Sequence, residues 1–253
     1  MSEHVLVERR GAVLALTLAR PERRNAITVA MYAALADAIE GAADGPSIRL
    51  ITIEGQGDDF TSGNDLADFL NELPQADSGE DIPVWRLLRA LAVNQVPLIA
   101  AVHGNVVGIG TTMLFHCDFV LAEEGSRFVM PFVDLGLVPE AASSLLMPRL
   151  AGRRRAARYI LLGERFGADE ALDMGLAGNK VPAGQLKTAL DKLVAALLAK
   201  PPEALRQTQA LLRREATDEI LARMELENGH FSERLASDEV KQAIASFFAA
   251  RAR

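Results

Sequence analysis

Glu140 lies in the stretch Gly136-Leu137-Val138-Pro139-Glu140-Ala141-Ala142-Ser143-Ser144, one acid among apolar and small residues. Such a carboxylate is either solvated at a loop tip or held in an apolar cavity where burial raises its pKa. The cavity makes it a general base that works near neutral pH. The plainer alternative is a helix N-terminal acid, favoured by the dipole of a helix beginning at Ala141. Two further segments, Phe60-Thr61-Ser62-Gly63-Asn64-Asp65-Leu66 and Gly104-Asn105-Val106-Val107-Gly108-Ile109-Gly110, each run from a strand through small residues toward a helix start. Backbone N–H groups at such junctions have no intrahelical partner. Two of them aimed at one point form an oxyanion hole. Taken singly, either glycine motif is explained by a tight turn.

The other chemical candidates read as structural. Asp65 is placed to cap the following helix, and His103 stands at a strand end. His116, Cys117 and Asp118 adjoin one another but alternate faces in a strand, which argues against a metal site. Asp134, Glu123 and Glu124 read as surface or packing groups.

The elements that must position these residues follow from patterning. Val5–Arg10 and Val13–Leu18 alternate around Gly11 as a hairpin. Thr28 caps a helix to Ala43 with Met31, Leu35, Ala38 and Ile39 on one face. Ile48–Ile53, Leu98–Val102 and Asp118–Ala122 read as strands, and Val84–Val93 as a helix. A helix begins near Gly108. Residues 71–82 are acidic and aperiodic, and are expected to form a mobile loop. After residue 142 only helices are expected: Leu145–Leu150, Arg153–Leu162, Ala168–Met174, Leu186–Ala199, Glu203–Arg214 and Glu219–Ala250. The last carries Phe231, Leu235, Ile244, Phe247 and Phe248 as an apolar face that must pack on the core or on a neighbouring subunit.

Composition narrows the class. The 253 residues are 49% hydrophobic and 5% aromatic, which favours a helix-rich α/β chain. A formal charge of −7 argues against a nucleic-acid partner. The Arg153-Arg154-Arg155 cluster with Arg158 reads as a solvated helix face, with a subunit contact or an anionic ligand as alternatives. Cys117 is the single cysteine, so no intrachain disulfide is possible. The expectation is a soluble, cytoplasmic protein with neither signal peptide nor membrane partner.

The array Arg20-Pro21-Glu22-Arg23-Arg24-Asn25-Ala26-Ile27, then Phe60–Asp65, then His103–Gly110, resembles the crotonase (enoyl-CoA hydratase/isomerase) superfamily. Gly152, Ala156–Gly163, Ala168–Leu176 and the Pro201-Pro202 helix fall in the same order, so the resemblance covers essentially the whole chain. It implies an α/β fold: a crotonase-like spiral of ββα units over residues 1–195, with a helical C-terminal trimerisation region over 196–253. It implies an acyl-CoA thioester as substrate, no separate cofactor (coenzyme A being part of the substrate), and a homotrimer or a hexamer built as a dimer of trimers. By carry-over, the N–H groups of Asn64 and Ile109 hold the thioester oxygen. Arg24, Ala26, Ser62, Gly63, Asp65, Leu66, Gly108 and Phe132 are the implied substrate-binding set.

Hydratases of that superfamily use two glutamates, and the matching positions here are Thr112 and Phe132. Neither moves a proton usefully. A glutamate at the position of Glu140 resembles the single base of the peroxisomal-type Δ3-Δ2-enoyl-CoA isomerase branch. Val129, Met130, Phe132, Leu135 and Leu137 are expected to supply a dry wall that raises its pKa. The alternatives are a hydratase or another enolate reaction with an atypical site, and a catalytically silent acyl-CoA-binding scaffold.

Overall fold

The computed structural model describes residues 2–43, 47–68, 82–213 and 217–251. Strands β1 (Val5–Arg10) and β2 (Val13–Leu18) form the expected hairpin, with Val5 opposite Leu18 and Arg10 opposite Val13. Seven strands follow: β3 (Leu50–Gly55), β4 (Leu98–Val102), β5 (Asn105–Val107), β6 (Phe119–Glu123), β7 (Arg127–Val129), β8 (Phe166–Gly167) and β9 (Asn179–Val181). The larger sheet has the order β1-β2-β3-β4-β6-β9, and from β2 onward every pairing in it is parallel. Parallel neighbours need crossovers, and here the β4–β6 crossover carries the short strand β5 and the β6–β9 crossover carries β7 and β8.

Those short strands stack in turn. β5 pairs with β7 in parallel and β7 with β8 in antiparallel, while single bridges add Thr61 beside Val106 and Ile27 beside Asn64. The result is a ββα spiral whose inner ladder brings both glycine motifs side by side.

Ten helices with assigned bounds complete the described part. They are α1 (Val29–Ala43), α2 (Pro83–Val93), α3 (Ile109–Thr112), α4 (Ser143–Ala151), α5 (Arg153–Leu161), α6 (Ala168–Asp173), α7 (Leu186–Leu198), α8 (Pro202–Arg213), α9 (Thr217–Leu235) and α10 (Asp238–Arg251). Thr28 caps α1, its hydroxyl accepting from Met31 N–H at 3.3 Å. Pro83 opens α2, where its missing N–H costs nothing. A 3-10 turn, Met113–His116, continues α3.

β4 shows why an unbroken apolar run was needed. Leu98, Ala100 and Val102 join the main core with α1 and α2, while Ile99 and Ala101 face a smaller core under Leu190 and Leu197 of α7. A strand covered on both faces has no polar alternation. Phe231 and Ile244 bury the C-terminal helices against the main core, with Leu235 packed beside them.

The structure departs from expectation in several places. Strands do not stop after residue 142, because β8 and β9 follow; at two and three residues they are too short to show a period. β5 and β7 escaped notice for the same reason. The third strand is Leu50–Gly55 rather than Ile48–Ile53. The terminal helix is two helices, broken before Ser237, whose hydroxyl accepts from Val240 N–H at 3.4 Å and starts α10. Residues 71–81 of the expected loop, and the side chains of Phe247 and Phe248, lie outside the described residues. Among the described residues no helix is long and apolar enough to cross a membrane.

Candidate active site

Glu140 is fully buried, and neither carboxyl oxygen has a hydrogen-bond partner among the described residues. Burial, and then the nearby charge of Glu227, push its pKa up to about 8; the adjacent Thr112 hydroxyl opposes this only in part. The carboxyl therefore keeps its proton to higher pH than an ordinary glutamate.

The backbone beyond it is strained. Ala141 and Ala142 have φ of 59° and 55°, a left-handed conformation that costs a residue with a Cβ roughly 1–2 kcal/mol. Distant side chains hold it there. Glu227 of α9 accepts from Ala142 N–H at 2.6 Å and Ser144 N–H at 2.9 Å. His116 Nε2–H donates to the Ala141 carbonyl at 2.9 Å. Ser143 Oγ–H and N–H both donate to the Glu140 carbonyl, at 2.6 and 3.0 Å. The N–H groups that open α4 are thus taken by Glu227, and the Glu140 side chain is not the helix-terminal acid.

His116 itself is pulled down to about 4, first by burial and then by Arg213, while its bond to Ala141 opposes the shift. It is neutral above that pH, with its proton on Nε2 facing a carbonyl. Arg213 grips the His116 carbonyl at 2.5 Å and Asp118 at 3.0 Å. Cys117 donates to Met113 O, and burial pushes its thiol up to about 12. The side chains of His116, Cys117 and Asp118 therefore go to different groups, Ala141 O, Met113 O and Arg213.

Two groups connect Glu140 to the glycine motifs. Thr112, fully buried on α3, lies three residues after Ile109 and against the Glu140 carboxyl. Tyr32 of α1, also buried, donates its hydroxyl to Asn64 Oδ1. Its own ionisation is disfavoured first by burial and then by the charge of Glu140. Thr112 thus ties the Glu140 carboxyl to the helix that follows Ile109, and Tyr32, bonded to Asn64, feels its charge.

The two turns are locked together by backbone. Thr61 N–H donates to Asn105 O and Val107 N–H to Thr61 O, each at 3.1 Å. Gly63 has φ 88°, and a Cβ there would come to 3.1 Å from Val107 O. A Cβ on Gly110 would lie 2.3 Å from Thr61 Cγ2, so only glycine lets α3 approach so closely. Among the described residues, neither Asn64 N–H nor Ile109 N–H is paired with a backbone acceptor. Gly108, with φ 55°, precedes Ile109 and donates to Val129 O.

The remaining sequence candidates cluster around the Asn64 turn, with one exception. Ser62 N–H donates to Arg24 O at 2.9 Å, and Arg24 is left-handed with its side chain 67% exposed. Ala26 O accepts from Arg20, which also pairs with Asp65 at 2.7 Å. Burial opposes ionisation of Asp65, but the Arg20 hydrogen bond and backbone donors outweigh it and its pKa falls. Leu66 begins the helix after it, and Asp65 accepts from Asp68 N–H in the capping role. Phe132 stands apart, buried with Met130 and Leu137 in the same core as Ile109 and Ala141.

Tyr32, His116 and Glu227 were missed as parts of this site. Glu227 did leave a signal: it sits three residues after Met224 and four before Phe231, on the buried stripe of α9.

Fold and site together show, among the described residues, a ββα spiral that carries one fully buried carboxyl, Glu140, and two backbone turns with unpaired N–H groups at Asn64 and Ile109. The chain belongs to the enoyl-CoA hydratase/isomerase family, acyl-CoA-processing enzymes of the crotonase superfamily, whose profile matches residues 8–252. It is 32% identical to the 1,2-epoxyphenylacetyl-CoA isomerase of Escherichia coli K12, over 99% of this chain and 97% of that protein. It is 31% identical to enoyl-CoA delta isomerase 2 of Rattus norvegicus over 97% of this chain, spanning 63% of that protein's length. The 2,3-dehydroadipyl-CoA hydratase of Escherichia coli K12 is also 31% identical, with 99% and 97% covered. An enoyl-CoA hydratase/isomerase crystal structure from Pseudoalteromonas atlantica T6c superimposes with a TM-score of 0.92 at 38% identity, covering 98% of each chain.

Proposed function

We propose that the protein is a Δ3-Δ2-enoyl-CoA isomerase in which Glu140 is the single acid–base group and the N–H groups of Asn64 and Ile109 receive the thioester oxygen. The observation that carries this reading is the Glu140 carboxyl: fully buried, without hydrogen-bond partners, and raised to about 8. Its carboxylate removes a proton from C2 of a 3-enoyl thioester. The C–H electron pair becomes the C1–C2 double bond of a dienolate, whose negative charge rests on the thioester oxygen. The carbonyl then re-forms, the C1–C2 pair shifts to C2–C3, and the C3–C4 pair takes the proton from Glu140 at C4. Atoms and charges balance with no added reactant, so the reaction calls for no metal or redox cofactor.

Hydration is the less favoured reading because it needs a second acid to handle water. Thr112 and Phe132 occupy the two hydratase positions, and both are buried. Glu227 is the carboxyl that raises the Glu140 pKa, but its oxygens already accept from Ala142 and Ser144. The exposed Leu161, Leu162, Leu211 and Leu212 support the expected homotrimer or hexamer, which light scattering of the purified protein would measure.

The deciding experiment gives the same purified protein a 3-enoyl-CoA and a 2-enoyl-CoA of equal chain length. Conversion of the first to the 2-enoyl thioester, with hydration of the second at least about 100-fold slower, is expected. Hydration as fast as isomerisation would overturn the reading.

A further inference from the structure

We propose that Glu227 is a positioning residue for Glu140: a carboxylate from the C-terminal helices that fixes the turn after Glu140 and faces it as a like charge. The inference deepens the isomerase reading and rests on Glu140 being its base.

The geometry is specific. Glu227 is 5% exposed on the inward stripe of α9. It reaches across to α4, where its two oxygens take the N–H groups of Ala142 and Ser144. Ala142 is one of two consecutive alanines in the left-handed region, a pair that relaxes unless something outside holds it. Glu140 is attached directly to that pair. Loosening the Ala142 anchor therefore re-aims the Glu140 side chain.

The second effect is electrostatic. Burial raises the Glu227 pKa, and its hydrogen bonds to Ser144 and Ala142 with Arg223 nearby offset that in part. Among the described residues Glu140 has no backbone donor, only the nearby Thr112 hydroxyl opposing the rise in its pKa. Of two neighbouring buried carboxyls, the hydrogen-bonded one ionises first and the other keeps its proton to higher pH. The remaining polar groups around the turn do not supply that negative charge. Tyr32 from α1 is neutral, and so is His116 from the 3-10 turn above about pH 4. Cys117 stays a thiol, and Asp118 is paired with Arg213 of α8. On α9, Arg223 binds Ser144 Oγ at 3.1 Å, and Arg149 of α4 is paired with Glu219.

The test follows the Glu140 carboxyl stretch by infrared spectroscopy against pH in the full chain. In each background the spectrum of the matching Glu140→Gln protein is subtracted. The same proteins are assayed for the pH profile of kcat/KM on a 3-enoyl-CoA. Glu227→Gln is expected to lower the infrared midpoint by about one pH unit. The rising limb of the profile should move with it, and kcat should fall about tenfold through the loosened turn. An unchanged midpoint overturns the inference whatever happens to the rate, since a purely structural role would leave it in place. Should Glu227→Gln not fold, Glu227→Asp decides: drawing the charge back lowers the midpoint by a few tenths of a unit if the inference holds, and leaves it unmoved if not. A shifted midpoint in a protein without isomerase activity would sink the proposed function and leave the inference standing.

Discussion

The two halves of the site are built in opposite ways. The Asn64 and Ile109 turns are made of backbone, brought together by hydrogen bonds between Thr61 and the Asn105–Val107 strand and by glycines that permit close approach. The Glu140 turn is made of residues with a Cβ in an unfavourable conformation, held by Glu227 and His116 from elsewhere in the chain. Backbone donors keep their geometry as long as the ladder forms. A buried carboxyl depends on which side chains surround it, so its pKa and aim are open to adjustment from α9. In the proposed function, oxyanion binding is set by the spiral, and the pH of the proton transfer by the C-terminal helices.

The largest effect concerns stability on the Glu140 side. Its folded-state pKa of about 8 exceeds the ordinary value of 4.5, so the folded form binds the proton more tightly than the unfolded chain. That contribution is fully present below about pH 4.5 and is lost as pH rises through about 8. Urea denaturation should show Glu140→Gln gaining on the wild type by several kcal/mol between pH 5 and pH 9. A gap that stays constant with pH would mean that Glu140 is not held in the protonated form.

On the backbone side, Gly110→Ala would place a methyl 2.3 Å from Thr61 Cγ2 and push α3 away from the Asn64 turn. We expect kcat on a 3-enoyl-CoA to fall about 100-fold, with the infrared midpoint of Glu140 rising as Thr112 on the displaced helix loses its contact. An unmoved midpoint would show the two halves to be independent. Tyr32→Phe removes the hydroxyl that donates to Asn64 Oδ1. Kinetics should register a loss of about tenfold in kcat, and melting a cost of about 1–2 kcal/mol for the unpaired amide oxygen. Arg149→Ala breaks an exposed α4–α9 ion pair with Glu219. It should change stability by under about 1 kcal/mol and leave the pH profile unaltered, separating Glu227 from the helix contact as a whole.

Much of the backbone half was readable in the sequence. The β1–β2 hairpin, the Thr28 cap and the β4 run each follow from local patterning. The glycine motifs also pointed to turns, because glycine is demanded by the local conformation. The inner ladder was less visible, since β5, β7 and β8 are two or three residues long. The carboxyl half was read only as far as Glu140. Its isolation in an apolar segment raised the question of burial, but the answer lay 85 residues away in the Glu227 hydrogen bond. Nothing local announces such a contact; an acid on the Met224–Phe231 stripe was the available clue. Ser237 splitting the last helix was likewise hidden, because the apolar pattern runs on across the break.

The central claim is that one carboxyl, that of Glu140, performs the proton transfer. Turnover of a 3-enoyl-CoA by Glu140→Gln, measured beside acyl-CoA binding by titration calorimetry, tests it most directly. The account predicts a fall in kcat of about 10³-fold or more, with binding within about twofold of the wild type. Turnover by the variant within about tenfold of the wild type would contradict it.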